Sequence, residues 1–118
     1  MVADWEKIEK LSRQIHFADR PTQDFVETSA TYGRIKFAIF EQAWTILFYG
    51  AMGDATKKYD CEKISNAIAA YDRPWQEWNS LKETHPSCAT LYKDVAADNK
   101  PGIGAAVARY RNICESQK

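Results

Sequence analysis

Three cysteines, four prolines, five glycines and two histidines are all that 118 residues contain of these types. So few cysteines exclude a disulfide-dense scaffold, and so little glycine and proline excludes a collagen-like or low-complexity chain. Net charge is missing too, because sixteen basic side chains balance sixteen acidic ones. The balance is also local: residues 1–60 carry eight basic and nine acidic groups, and residues 61–118 carry eight and seven. The linear sequence therefore holds no electrostatic track for a phosphate backbone, and nucleic acid is not expected as a partner. Only Arg109 and Arg111, near a helix end, offer the start of a basic patch. Long apolar runs are absent as well. The richest stretch, Phe37 to Met52, is shorter than a membrane span and is interrupted by Glu41 and Gln42. The opening MVADWEKIEK lacks the apolar segment of a secretion signal, so none is expected in this chain. A cytoplasmic location and export as part of a longer chain both stay open.

What is present is the composition of an ordinary globular domain, 45% hydrophobic and 27% charged. Area scaling gives roughly 6,500 Å² of folded surface against about 19,500 Å² unfolded, enough for one core and too little for two. Residues 1–118 are accordingly read as a single domain.

Apolar residues recur at helical spacing throughout, and no stretch sustains the alternation of a half-buried strand. Segment one, Asp4 to Phe17, carries Trp5, Ile8, Leu11 and Ile15 on one side, with Asp4 as N-cap. A turn at Asp19-Arg20-Pro21 ends it. Segment two runs from a capping Thr22 to Met52, with Phe25, Ser29, Gly33, Phe37, Phe40, Trp44, Leu47 and Ala51 as its stripe. Gly33 allows a bend or a close approach, while Gly50 and Gly53 read as stop signals. Segment three runs from Asp54 or Lys57 to Lys82 and places Ile64, Ile68, Tyr71, Trp75, Trp78 and Leu81 on one face. That face stays in phase across Pro74, which favours one helix containing the proline over two. A short helix from Ser87 to Val95, a turn at Asp98 to Gly102 and a last helix from Ile103 to Cys114 complete the chain. The predicted fold is all-α: an antiparallel three- to four-helix bundle with a short additional helix.

Chemistry-bearing constellations are sparse. The two histidines, His16 and His85, are 69 residues apart, and neither HExxH nor a paired Glu-x-x-His pattern occurs, so no metal and no cofactor is expected. Gly102-Ile103-Gly104 resembles a dinucleotide loop only superficially, because a polar turn and not a strand precedes it. His85 and Cys88 stand three apart and leave a thiol-dependent enzyme as one alternative. Cys61, Cys88 and Cys114 fit either one disulfide plus a free thiol or three structural cysteines. His16 with Asp19 reads as a solvated histidine at a helix end. Glu41, Asp72, Glu77 and Glu83 show no spacing that selects a catalytic carboxylate pair. Glu41, between Phe40 and Trp44, is expected to be partly buried and to need a partner such as Arg34.

The unusual feature is aromatic: Trp44, Phe48 and Tyr49 crowd one helix, and Tyr71, Trp75 and Trp78 share a face of the next. Aromatic side chains anchor protein interfaces or stack on sugar rings. Trp44, Phe48, Tyr49, Trp75, Trp78 and Tyr92 are therefore the candidate contacts. Trp78 and Tyr92 are the ones a carbohydrate-binding module would expose.

Tyr71-Asp72-Arg73-Pro74-Trp75-Gln76-Glu77-Trp78, Ser87-Cys88-Ala89-Thr90-Leu91-Tyr92, Pro101-Gly102-Ile103-Gly104 and Arg109-Tyr110-Arg111 together resemble helical accessory or terminal regions of large bacterial glycoside hydrolases. The resemblance covers about the last 50 residues and implies a supporting module with no catalytic residue of its own. The expected function is thus a non-catalytic packing or protein-interaction module. Its partner would be the enclosing polypeptide, another protein or a second copy of the chain.

Overall fold

The computed structural model describes residues 2–86 and 102–117. Four helices carry these residues: α1 (Val2–Gln14), α2 (Arg20–Thr56), α3 (Cys61–Thr84) and α4 (Ile103–Ser116). No strand occurs among the described residues, and the all-α bundle expected from periodicity is the fold observed. The predicted helix at Ser87 to Val95 and most of the turn after it lie outside the described residues.

A long antiparallel hairpin of α2 and α3 forms the frame. Tyr32 meets Trp78 at one end, with ring centroids 5.3 Å apart, and Lys63 sits over the Tyr49 ring at the other. α1 runs antiparallel to the first half of α2, where Trp5 stacks on Phe37 and Glu9 pairs with Arg34. α4 packs on the opposite end of the hairpin, against the second half of α2 and the first half of α3. The result is a rod of 58 × 25 × 21 Å. Its accessible surface of 7552 Å² exceeds the roughly 6,500 Å² of a compact chain this size.

The core is built from branched aliphatic residues, with three aromatics among them. Ile35, Ile39, Ala43 and Ile46 of α2 meet Ile64, Ile68, Tyr71 and Trp78 of α3 and Val107, Tyr110 and Cys114 of α4. The α3 face is the one periodicity selects. Pro74 sits inside α3, a single helix, and is itself buried.

Several expectations for α1 and α2 are overturned. Asp4 lies in the first turn of α1 and not at its cap. The row Ile8, Leu11 and Ile15 is exposed, while Ser12 is buried. The physical reason is that α1 has essentially one neighbour. Trp5, Glu9 and Ser12 form the strip that touches α2, fixed by the Glu9–Arg34 pair and by Gln23 donating to the Ser12 carbonyl at 3.2 Å.

The N-cap of α2 is Asp19 and not Thr22; its carboxylate accepts from the Thr22 N–H at 3.0 Å and from the Thr22 hydroxyl at 2.8 Å. These bonds hold the Asp19 carboxyl below its ordinary pKa. At the other end, Gly50 and Gly53 do not stop the helix. They are buried within it, and the rings of Tyr110 and Tyr59 lie where their Cβ atoms would be. The helix continues to Thr56 and ends at Lys57, whose φ of 61° is left-handed, so segment three begins not at Asp54 or Lys57 but at Cys61, capped by Asp60. Gly33 serves the close approach foreseen for it, under the Trp5 ring.

Candidate docking face

The stripe expected to bury segment two is mostly the wrong face. The buried residues of α2 are Ala30, Gly33, Ile35, Ile39, Ala43, Ile46, Gly50 and Gly53, so of the expected stripe Gly33 alone is fully buried. Phe25 and Ala51 of the expected stripe are exposed. So is Trp44, at 65%, together with Phe48 at 60% and Met52 at 49%.

These exposed side chains are ordered by helical geometry. Gly33, Phe37, Trp44 and Phe48 are separated by four, seven and four residues, so they lie close to one line along the helix. α1 covers the first part of that line, with Trp5 over Gly33 and Phe37. It begins at Val2, only three residues before Trp5. Trp44 and Phe48 lie two to three turns beyond Phe37 on α2, where no described helix covers them. Around them the exposed row is Glu41, Trp44, Phe48, Ala51, Met52 and Ala55.

The row stands on a firm base. Phe48 packs edge-on against Tyr49, with centroids 5.3 Å apart, and Tyr49 in turn lies beneath the Lys63 ammonium of α3. Just past the row, Asp54 joins α2 to α4. Its carboxylate accepts two N–H bonds from Arg109, at 3.1 and 2.9 Å, one from the Tyr110 hydroxyl at 2.7 Å, and one from the Tyr59 hydroxyl. Arg109, Tyr59 and Tyr110 together hold the Asp54 carboxyl far below the ordinary carboxylate range, Arg109 contributing most. The phenols of Tyr59 and Tyr110 are raised, with the bond to Asp54 the largest cause in each and Arg109 acting against the shift.

The other candidates fall elsewhere. Trp78 is fully buried against Tyr32, so it presents no face to a sugar. Trp75 is half-buried beside Tyr71, with centroids 6.2 Å apart. Tyr92 and Cys88 lie outside the described residues, and His85 is the C-cap of α3, its N–H donating to the Leu81 carbonyl. Cys61 and Cys114 are joined as a disulfide with Cα atoms 5.4 Å apart.

Charged residues are largely occupied. Arg109 is taken by Asp54 and Arg111 by Asp72, so the two do not form a bare basic patch. Glu41 is exposed and does not meet Arg34, which bridges Glu9 and Glu77 between α1 and α3. The expected burial of Glu41 fails because Phe40 and Trp44 flank it without enclosing it. Asp72 and Glu77 are thus engaged in ion pairs between helices. No group of three or more potential metal ligands occurs among the described residues, and no helix among them is long and apolar enough to cross a membrane.

Sequence reasoning found Trp44 and Phe48 and set Ala51 on one stripe with Trp44, but missed Met52 and Ala55 as their neighbours. The available signal was spacing, since positions 41, 44, 48, 51 and 55 repeat the 3-4-3-4 rhythm of a helix seam. Comparison with known proteins finds no matching family, no similar curated protein and no similar solved structure.

Proposed function

We propose that this chain is a helical protein-docking module whose working surface is the second half of α2. The observation that carries this reading is the row Trp44, Phe48 and Met52, exposed side by side on a helix whose other side forms the core. Aromatic and methionine side chains are the residues that interfaces concentrate at their centres. A contiguous apolar row on a helix is one of the standard surfaces that helical partners recognise. The role is mechanical: α3, α4 and the Asp54 cluster brace the core side of α2, and α2 presents the row. No catalytic step is assigned to any residue. An accessory role inside a longer polypeptide is compatible with this reading and is supported by the sequence resemblance alone.

The test is a photo-crosslinking amino acid placed at Phe48 in the cell of origin, with another at exposed Glu62 on α3 as reference. Protein adducts from position 48 that position 62 does not give are expected. Equal or absent adducts at the two positions would overturn the docking reading.

A further inference from the structure

We propose that the Cys61–Cys114 disulfide is a redox latch for α4. A dithiol reductant opens it at the Cys61 sulfur, and α4 then leaves the α2–α3 hairpin as a unit while the rest of the bundle stays folded. The link joins the first residue of α3 to the last turn of α4.

Without that link the hold on α4 is modest. Val107, Tyr110 and Cys114 reach the core, and Cys114 is itself half of the latch. The ion pairs that tie α4 down are made by Arg109 and Arg111, whose side chains are 53% and 35% exposed, and at such positions each pair stabilises little. Beside the disulfide a cleft of about 200 Å³ parts α3 from α4. Ser65 and Ile68 line one wall and Cys114 and Glu115 the other, with Arg111 and Asp72 paired across it. The seam that the latch closes is therefore incompletely packed. α4 has fourteen residues, and Gly102 at its start supplies no side-chain cap. A helix so short is marginal in water once its neighbours are lost.

The other three helices are joined where α4 does not reach. Tyr32 meets Trp78, Trp5 stacks on Phe37, and Arg34 bridges Glu9 and Glu77. Opening of α4 is thus a local event, in which one element meets solvent while the remaining core persists.

The two sulfurs are not equivalent. Cys61 is partly exposed, whereas Cys114 is 3% exposed. Access decides which sulfur a thiolate attacks, so the incoming thiolate bonds to Cys61 Sγ. As that bond forms the Cys61–Cys114 bond breaks, and the electron pair leaves on Cys114 Sγ, which takes a proton from water. The second thiolate of the reductant then attacks the reductant sulfur joined to Cys61. This closes the reductant's own disulfide and expels Cys61 as a thiolate, which is protonated in turn. The protein disulfide gains two electrons and two protons, and the dithiol loses them.

Hydrogen exchange of the intact chain, read peptide by peptide with and without dithiothreitol, tests the latch. Exchange across residues 103–116 should quicken at least about tenfold on reduction, and across 28–40 and 72–84 far less. No quickening at 103–116 overturns the latch. Equal quickening in all three segments also overturns it, because the disulfide would then clamp the whole fold. The chain carrying Cys61→Ser with Cys114→Ala, without reductant, should reproduce the reduced pattern; a pattern like that of the oxidised native chain counts against the latch. For the point of attack, a Cys88→Ser chain is treated briefly with glutathione and quenched with N-ethylmaleimide. The glutathione adduct should map to Cys61 and the maleimide to Cys114. The reverse assignment, or no adduct on either sulfur, overturns attack at Cys61.

Discussion

Cys61 and Cys114 bind the first turn of α3 to the last turn of α4, closing a loop with a sequence separation of 53 residues. Around them α4 is held by side chains of opposite charge: Arg111 forks onto Asp72 at 3.0 and 2.7 Å, and Arg109 forks onto Asp54. These exposed or half-exposed pairs are individually modest, whereas the covalent link restricts the whole intervening segment in the unfolded chain. Loop-closure entropy for that length corresponds to about 4 kcal/mol. Replacing both cysteines, as Cys61→Ser with Cys114→Ala, should lower the unfolding free energy by about 2–5 kcal/mol. Guanidinium titrations compare the two chains, and coincident midpoints would contradict the estimate. Reductant should move the native protein toward the double variant and leave the variant where it was.

The Asp54 cluster makes a separable prediction about pH. Because the folded carboxyl titrates below the unfolded one, its stabilisation is complete above the ordinary carboxylate pKa of about 3.9 and disappears as pH falls below it. Tyr59 and Tyr110 run the other way. Their folded phenols titrate above their ordinary values, so their contribution is whole below about pH 10 and is lost as pH rises further. Asp54→Asn removes both the carboxyl that titrates at low pH and the charge that raises the two phenols. Thermal midpoints plotted against pH should fall less steeply at both extremes in this variant than in the native chain. Parallel curves would show that the cluster is not coupled to folding.

Gly50 tests a different kind of contact. A methyl group there would overlap the ring of Tyr110, whose hydroxyl is tied to Asp54 and whose ring cannot simply withdraw. Alanine would gain about 1 kcal/mol of helix propensity and lose about 1–3 kcal/mol to overpacking. Gly50→Ala should therefore be neutral to destabilising by up to about 2 kcal/mol. Adding Tyr110→Phe frees the ring from Asp54 and should make the alanine less costly. A Gly50→Ala chain more stable than the native one would refute the close-packing account.

These glycines also show what the sequence could and could not convey. Periodicity found the helices of the described residues, because each carries apolar residues at 3.6-residue spacing whichever way it faces. It could not choose between two apolar stripes on α2. Ile35, Ile39, Ala43 and Ile46 face α3 and α4, while Phe37, Trp44 and Phe48 turn away. That choice depends on which side the neighbours occupy, a long-range property absent from any local window. Gly50 and Gly53 were ambiguous for the same reason. A glycine that ends a helix and one that admits an aromatic ring look alike until the ring's owner, sixty residues after Gly50 in the case of Tyr110, is placed beside it. The α1 row differs: Ile8, Leu11 and Ile15 share a side at helical spacing, but α1 finds only one neighbour and buries only one narrow strip.

Two tryptophans on adjacent helices separate core from docking face most sharply. Trp78 is fully buried against Tyr32, Ile35 lies in the same core cluster, and the Lys82 ammonium stands 5.5 Å from its ring centre. Trp78→Ala should cost about 3–5 kcal/mol through lost contacts and the cavity left behind. Trp44, larger in exposed area than any residue of the core, should cost the isolated chain within about 0.5 kcal/mol when replaced by alanine. The comparison must be made without a partner present, so that any loss of docking does not enter. Acrylamide quenching supplies an independent reading: Trp44→Phe should remove the most accessible part of the tryptophan emission, whereas Trp75→Phe should not. Equal destabilisation by Trp44→Ala and Trp78→Ala would place Trp44 in the core and remove the basis for a docking face on α2.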